Sequence, residues 1–270
     1  MDLITAGTVP LRCPYDQVVG EPLVVATFNI RNGLAPDLRH LWPLRRRSTA
    51  GMIRALDADV VGLQEVYRWQ LRYLLGRLAG YEAHGEGRSR RRRGEFCPVL
   101  TRSSRLHVRD VQTRWFGDEP DRPGLRLPGA LFPRLATMAA VADRLADEAF
   151  HVVNTHLDER RPENRRASVA QLVTWLPLDG PVILLGDLNT SEDDEKVFSL
   201  LRSAGLRSVL PREAGGTVHR FRGGTDGPRI DHVLVSAHWE VAEAAVVTDH
   251  PGRRLPSDHW PVRAVLRLRA

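Results

Sequence analysis

Lysine is nearly missing from this chain: Lys196 is the single lysine, and the other 38 basic residues are arginines. No one binding site needs so many guanidiniums, so the skew reads first as a genome-wide preference. Cysteine is scarce as well. Cys13 and Cys97 permit at most one disulfide and no cysteine-based zinc cluster, which suits a reducing, cytoplasmic setting. No apolar run approaches the roughly 20 residues that a membrane helix requires. The opening stretch MDLITAGTVPLRCPYDQ has no basic segment followed by an apolar core, so no signal peptide is expected. Short repeats are missing, and the one biased tract is a loop of arginines.

What remains is a chain able to bury a core. Its 270 residues are 42% hydrophobic and 27% charged, which excludes wholesale disorder and fits one large α/β-type domain or two small ones. The formal charge of +6 favours anionic substrates such as nucleic acid or phosphorylated metabolites. Residues 1–22, with Pro10, Pro14 and Pro22, read as an extension ahead of a single domain over 23–270. Apolar, β-branched runs predict strands at 23–28, 59–63, 96–101, 106–115, 135–143, 151–156, 181–186, 230–235, 240–247 and 260–268. Helices are expected at about 45–56, 68–79, 163–176 and 193–204, and long loops at 85–94 and 116–133. Strands and helices in both halves without strict alternation imply an α+β fold, two mixed sheets packed face to face with helices outside.

Polar residues sit where buried strands have no use for them. Asn29 follows VVATF, Glu65 follows VVGLQ, His156 follows VVNT, and Asp187 and Asn189 lie at the end of VILLG. Asp231 opens the strand DHVLV, and Asp258-His259 leads into the last strand. One alone would be a turn or cap residue, but strand ends in such sandwiches converge on one rim. Glu65, Asp187 and Asp258 are hard oxygen donors, which favour Mg²⁺ or Mn²⁺ over zinc. Asp231 and His259 can form a carboxylate–imidazole pair, and Asn189 can donate to a phosphoryl oxygen. Together these are the parts for metal-assisted phosphoester hydrolysis.

The segments TFNIRNG, VVGLQEV, NTHLD, GDLN, RIDHVLV and SDHWPV, in this order over roughly 23–268, resemble the endonuclease/exonuclease/phosphatase superfamily. That group includes pancreatic-type deoxyribonucleases, abasic-site endonucleases, sphingomyelinases, inositol polyphosphate 5-phosphatases and deadenylases. Gly94-Glu95-Phe96-Cys97-Pro98 and Thr217-Val218-His219-Arg220-Phe221 are similar to stretches of its compact bacterial members. The resemblance implies a four-layer α/β/β/α sandwich, with Glu65 as the principal Mg²⁺ ligand and Asn29 beside it. It implies that Asp187 orients or deprotonates the attacking water and that Asn189 binds the scissile phosphate. His259, held by Asp231, would act as base or phosphate contact, Asp258 as an outer or second-metal carboxylate, and His156 as a transition-state donor. In the deoxyribonuclease branch a glutamate pairs with that histidine, and Glu95 is the candidate here.

Other residues receive plainer readings. His40, His84, His107, His151, His238 and His250 match no motif, and His232 should pack below the site. The Trp and Leu stripe of 68–79 reads as core, and Arg45–Arg47 as a solvated helix face. The loop holding Arg88 and Arg90–Arg93 precedes Glu95, so Arg91 and Arg92 are candidates for gripping substrate, as are Arg134 and Arg229 beside their motifs. The favoured function is a Mg²⁺-dependent nuclease acting on DNA or RNA as a monomer with no obligate protein partner. The alternatives are a phosphoesterase for a small anionic metabolite or lipid headgroup, and a non-catalytic nucleic-acid binder. The complete set of polar strand-end residues argues against the last.

Overall fold

A strand that is apolar on both faces needs cover on both, and this chain supplies it with four layers. The computed structural model describes residues 18–146 and 148–269. In order they form β1 (Val18–Asn29), α1 (Trp42–Leu56), β2 (Val60–Gln64), β3 (Val66–Tyr67), α2 (Arg68–Leu75), β4 (Tyr81–His84), β5 (Glu95–Phe96) and β6 (Val99–Arg102). There follow β7 (Leu106–Trp115), β8 (Leu135–Asp143), β9 (Glu148–His156), α3 (Pro162–Trp175), β10 (Val182–Asp187) and α4 (Glu195–Ser203). The last are β11 (Arg207–Ser208), β12 (Asp231–Val235), β13 (Trp239–Val246) and β14 (Val262–Arg269).

One sheet has the order β13-β14-β1-β2-β6-β4 and the other β11-β12-β10-β9-β8-β7, with a two-stranded ribbon β3-β5 beside them. Alternation then sets the layers. Leu23 and Val25 of β1 meet Ile183 and Leu185 of β10 between the sheets. Ala26 and Phe28 of β1 face the other way, onto Met52, Ile53 and Leu56 of α1. Val182 and Leu184 of β10 pack on Val169 and Leu172 of α3 and Val197 and Leu201 of α4. The expected α+β sandwich is therefore the fold. Among the described residues, no helix is long and apolar enough to cross a membrane.

Three local expectations are corrected. Strand β1 starts at Val18 and not at Leu23; its first residues pair with the end of β14, and the register shifts between Val19 and Leu23. Pro22, which donates no hydrogen bond, sits in that shift and hides the strand from a pattern reading. Pro10, Pro14 and Cys13 lie outside the described residues. Trp69 is 42% exposed, because α2 turns Gln70 and Leu74 fully inward before Gly76 ends it and leaves Trp69 on another face. Arg45 is buried to 1% exposure, donating to the carbonyls of Ile30 (2.6 Å), Arg31 (2.7 Å), His40 (3.0 Å) and Pro256 (3.1 Å). That one side chain ties down the loop after β1 and the loop before Asp258, a role that composition cannot announce.

Candidate active site

Register brings the polar strand ends into a row. Asp187 of β10 lies opposite His156 of the parallel strand β9 and opposite Asp231 of the antiparallel strand β12. All three continue the inward-facing set of Leu185, Asn154 and Val233, so they project past the end of the apolar core toward the first sheet. Beneath them lies a polar floor. Gln64 Nε2 donates to Thr27 Oγ1 (2.9 Å) and Asn154 Oδ1 (2.7 Å), and Asn154 Nδ2 donates to Leu63 O and Pro98 O. Gln64 and Asn154 thus join the two sheets directly below the site. Sequence reasoning passed over both, although a buried amide inside an apolar strand is itself a signal.

Glu65 is aimed by backbone conformation. Alternation would send it outward with Leu63, but its φ of 61° places it in the left-handed region and turns the carboxylate inward. There it accepts from Asn29 Nδ2 (3.1 Å), Asn32 N (2.9 Å) and Asn32 Nδ2 (3.2 Å). Burial alone would raise its pKa, yet the Asn32 and Asn29 hydrogen bonds and the nearby Arg31 hold it below the usual carboxylate range. Asn29 Nδ2 also donates to Asp187 Oδ2 at 2.9 Å, while Asn29 Oδ1 accepts from Arg31 N. The amide therefore clamps Glu65 to Asp187.

Asp187 Oδ1 accepts from Asn189 N at 2.9 Å; Oδ2 lies 3.6 Å from His156 Nε2 and 4.0 Å from His259 Nδ1. Burial, and the neighbouring charge of Asp231, push the Asp187 carboxyl up to about 7. His259 Nδ1 donates to Asp231 Oδ2 at 2.8 Å. Burial disfavours its imidazolium, but the charge and hydrogen bond of Asp231, with Asp258 and Asp187 behind them, lift it well above the ordinary value. His156 goes the other way, held neutral by burial and by the Arg134 and Arg88 charges. The Thr217 segment supports this end. Thr217 Oγ1 accepts from Ile230 N and Asp231 N, Thr217 O takes Trp260 N, and Val218 bridges His259. His232 packs below, edge-on to Phe198 at 5.0 Å, with Nε2 on Thr190 O.

Glu65, His156, Asp187, Asn189 and His259 line a cavity of about 370 Å³ together with Arg31, Arg88, Arg134 and Arg220. Arg134 is paired with Glu159, and Arg31 forms a bidentate pair with Asp37. Asn189 gives one amide proton to Leu157 O and has a second free for the cavity. Asp258 stands behind the rim, 3.6 Å from Arg31 and 3.3 Å from Ser257 Oγ.

Not every residue expected at the rim reaches this cavity. Glu95 pairs with Arg88 at 2.9 Å, and no hydrogen bond or ion pair joins it to His156 among the described residues. Arg88, whose guanidinium also lies over the Phe132 ring at 4.3 Å, is the loop arginine that enters the cavity. Arg91 and Arg92 line a different recess. Arg229 also faces away, donating to the carbonyls of Pro211 and Ala214 and meeting Glu192 at 3.2 Å, because its neighbour Ile230 takes the cavity side of the extended chain. Arg31, Glu159 and Arg220 were missed, and Arg88 was noted only as part of its loop. Arg31 and Arg220 carried a signal, since they stand inside the TFNIRNG and Thr217–Phe221 segments.

Two sets of donors could hold a cation. Atoms of Asp187, Asp231 and His259 lie within 4.8 Å of one another, but there the imidazole and the Asp231 carboxylate are already bonded to each other. Glu65 and Asp187, spanned by Asn29, are the better pair. Arg31, Arg88 and Arg134 have their own carboxylates, whereas Glu65 has no ion-pair partner among the described residues. Two carboxylates clamped side by side, one of them without an ion-pair partner, fit a hard divalent ion.

A fold of this kind with such a rim defines a phosphoric ester hydrolase. The chain belongs to the Endonuclease/Exonuclease/phosphatase family, whose model matches residues 26–259; enzymes of this family depend on divalent metal. A comparison with curated proteins finds no sequence match. Among solved structures, an endonuclease/exonuclease/phosphatase family protein from Bacteroides thetaiotaomicron superposes with a TM-score of 0.85 at 26% identity, covering 92% of this chain and 98% of that one. A mannosyl-6-phosphatase from B. thetaiotaomicron VPI-5482 gives 0.83 at 26% identity, over 90% and 99%. D. rerio TDP2, solved with a single-strand DNA product, shares the fold with a TM-score of 0.72 at 19% identity, over 91% and 98%.

Proposed function

We propose that this protein hydrolyses phosphodiester bonds, in nucleic acid by preference, by attack of an activated water with the help of Mg²⁺ or Mn²⁺. The observation that carries the reading is the Asn29 clamp, which sets Glu65 and Asp187 side by side across from the His259–Asp231 pair. Glu65, with Asp187, would hold the metal, which supplies charge neutralisation at a phosphoryl oxygen and a more acidic water. Asp187, held by Asn29 Nδ2 and Asn189 N, is placed to orient the attacking water and accept its proton. His259, kept cationic by Asp231, serves as a charged contact to the phosphate and leaves the proton to Asp187. His156 stays neutral and donates its N–H to the leaving side, while the free amide proton of Asn189 meets a non-bridging oxygen. The preference for a strand rests on cations outside the cavity's own ion pairs. Arg220, Arg91 and Arg93 have no acidic partner among the described residues, so positive charge extends beyond the room for one phosphate.

A second reading, hydrolysis of a phosphomonoester on a small metabolite, is favoured by the likeness to the mannosyl-6-phosphatase and by the modest cavity of about 370 Å³. One panel separates them. The protein is incubated with Mg²⁺ and supercoiled plasmid, abasic duplex, single-stranded RNA, bis-p-nitrophenyl phosphate or p-nitrophenyl phosphate, beside Asp187→Ala. Cleavage of the diesters, lost in the variant, is the expected result. Turnover of the monoester alone sinks the nuclease reading.

A further inference from the structure

Of the five arginines at 88–93, one serves the catalytic cavity. Arg91, Arg92 and Arg93 line a second recess, of about 730 Å³, whose aromatic residues are Tyr67, Trp69 and Phe96. The β3-β5 ribbon divides the two spaces. Tyr67 pairs with Glu95 and Val66 with Phe96. Within β5, adjacent residues face opposite ways, so Glu95 lines the catalytic cavity and Phe96 the recess, while Tyr67, on Glu95's face by register, borders the recess from the ribbon. The loop obeys the same division. Arg88 N donates to Glu95 O, the turn closes with Ser89 N on Arg93 O, and Arg91, Arg92 and Arg93 fall on the recess side.

Two features set this recess apart from an ordinary solvated charge run. Its charge is uncompensated: Arg92 is paired with Glu86, but Arg91 and Arg93 have no acidic partner among the described residues. Its indole is fixed yet open. Trp69 lies edge-on to Trp42 at 6.0 Å and directly over Gly33, where a Cβ would fall 2.2 Å from the ring, and still keeps 42% of its surface exposed. A ring fixed by its neighbours with so much surface in solvent can serve as a stacking platform. None of these residues takes part in the chemistry described above.

A flat ring beside free guanidiniums, one ribbon away from a phosphoester site, fits a nucleotide. We infer that the recess binds the nucleotide flanking the scissile bond of a single-stranded nucleic acid, base against Trp69 and phosphate on Arg91 and Arg93. The inference rests on the diester reading and makes it more specific. An unpaired strand is required because a base inside a duplex keeps both faces on its neighbours.

The test uses the full chain carrying Asp187→Asn, to prevent turnover, and a fluorescein-labelled oligodeoxynucleotide of mixed sequence. Adding Trp69→Ala weakens binding at least about tenfold, and Trp69→Phe restores most of it. The exposed pair Arg91→Ser and Arg93→Ser, which cannot disturb the core, lowers the slope of log affinity against log salt by about 1.4, at about 0.7 for each single-strand phosphate contact. In the active protein, the ratio of kcat/KM for the oligonucleotide to that for bis-p-nitrophenyl phosphate falls by a similar factor, since the small diester does not reach the recess. If the oligonucleotide is bound and cut but neither set of substitutions alters affinity or ratio, the recess is refuted and the diester reading stands. If the parent turns over p-nitrophenyl phosphate yet neither binds nor cuts the strand, both are refuted.

Discussion

One small amide decides how the two acidic groups of the site face each other. Asn29 Nδ2 is 3.1 Å from Glu65 Oε1 and 2.9 Å from Asp187 Oδ2, so neither carboxylate can rotate without losing a hydrogen bond. Asn29→Ala should leave the fold intact, lower kcat about 10- to 100-fold, and raise the Mg²⁺ concentration needed for half-maximal rate, as loss of a partner behind a metal ligand commonly does. The same residues give a pH signature. The Asp187 carboxyl is raised from about 3.8 to about 7, so the native state binds a proton that the unfolded chain releases. Native stability contributed by the protonated form is therefore complete below about 4 and lost as pH rises toward 7. His156, His219 and His232, whose imidazoliums burial disfavours, slope the opposite way, so the informative quantity is a difference. In chelator, the urea midpoint of Asp187→Asn should gain on that of the parent between pH 4 and 7. Added Mg²⁺ should close the gap; a constant difference across that range contradicts the assigned shift.

At the scale of elements, strand spacing near the site is set by what a strand leaves out. Gly62 of β2 lies where a Cβ would stand 2.8 Å from Asn154 Oδ1 and 2.9 Å from Leu185 Cβ, both on the opposite sheet. Gly62→Ala should cost about 1–3 kcal/mol by denaturant titration, the usual penalty of overpacking. It should also reduce kcat, because the displaced strand carries Glu65 three residues on. The site was largely legible at this scale because polar residues at the ends of apolar strands have few structural uses, and Asn29, His156, Asp187 and Asp231 all follow that logic. What stayed hidden depends on direction and reach. The left-handed turn that swings Glu65 inward leaves no mark in an apolar pattern. Nor does periodicity say that Arg88 turns in while Arg91 turns out, that Arg229 binds carbonyls on the far side, or that Arg45 is a buried staple. Long side chains are placed by the partners that fold around them, and those partners are distant in sequence.

For the molecule as a whole, the two ends of the sandwich do different work. The rim end collects charge that a substrate and metal must neutralise. The opposite end closes on itself around Arg105, in the turn between β6 and β7. Its guanidinium meets Asp59 at 2.9 Å and Asp143 at 2.6 Å and donates to Pro22 O (2.6 Å) and Glu21 O (2.9 Å). It thereby joins the starts of β1 and β2 in one sheet to the end of β8 in the other. Asp59 and Asp143 are 7% and 5% exposed; Asp59 keeps Arg102 at 3.3 Å, but removing the Arg105 cation strands the buried Asp143. Arg105→Ala should lower unfolding free energy by about 3–5 kcal/mol, the range for breaking a buried ion pair from one side. Folded protein of that variant should retain the parent's KM and kcat when assayed well below its unfolding temperature. The polar floor of Gln64 and Asn154 and the apolar core lie between Arg105 and the rim, and both keep their partners when Arg105 is lost. If kcat falls in proportion to stability instead, the two ends move as one body and the floor does not insulate the site. The Gly62→Ala variant then sets the scale, because it disturbs that floor directly at a smaller expected cost in stability.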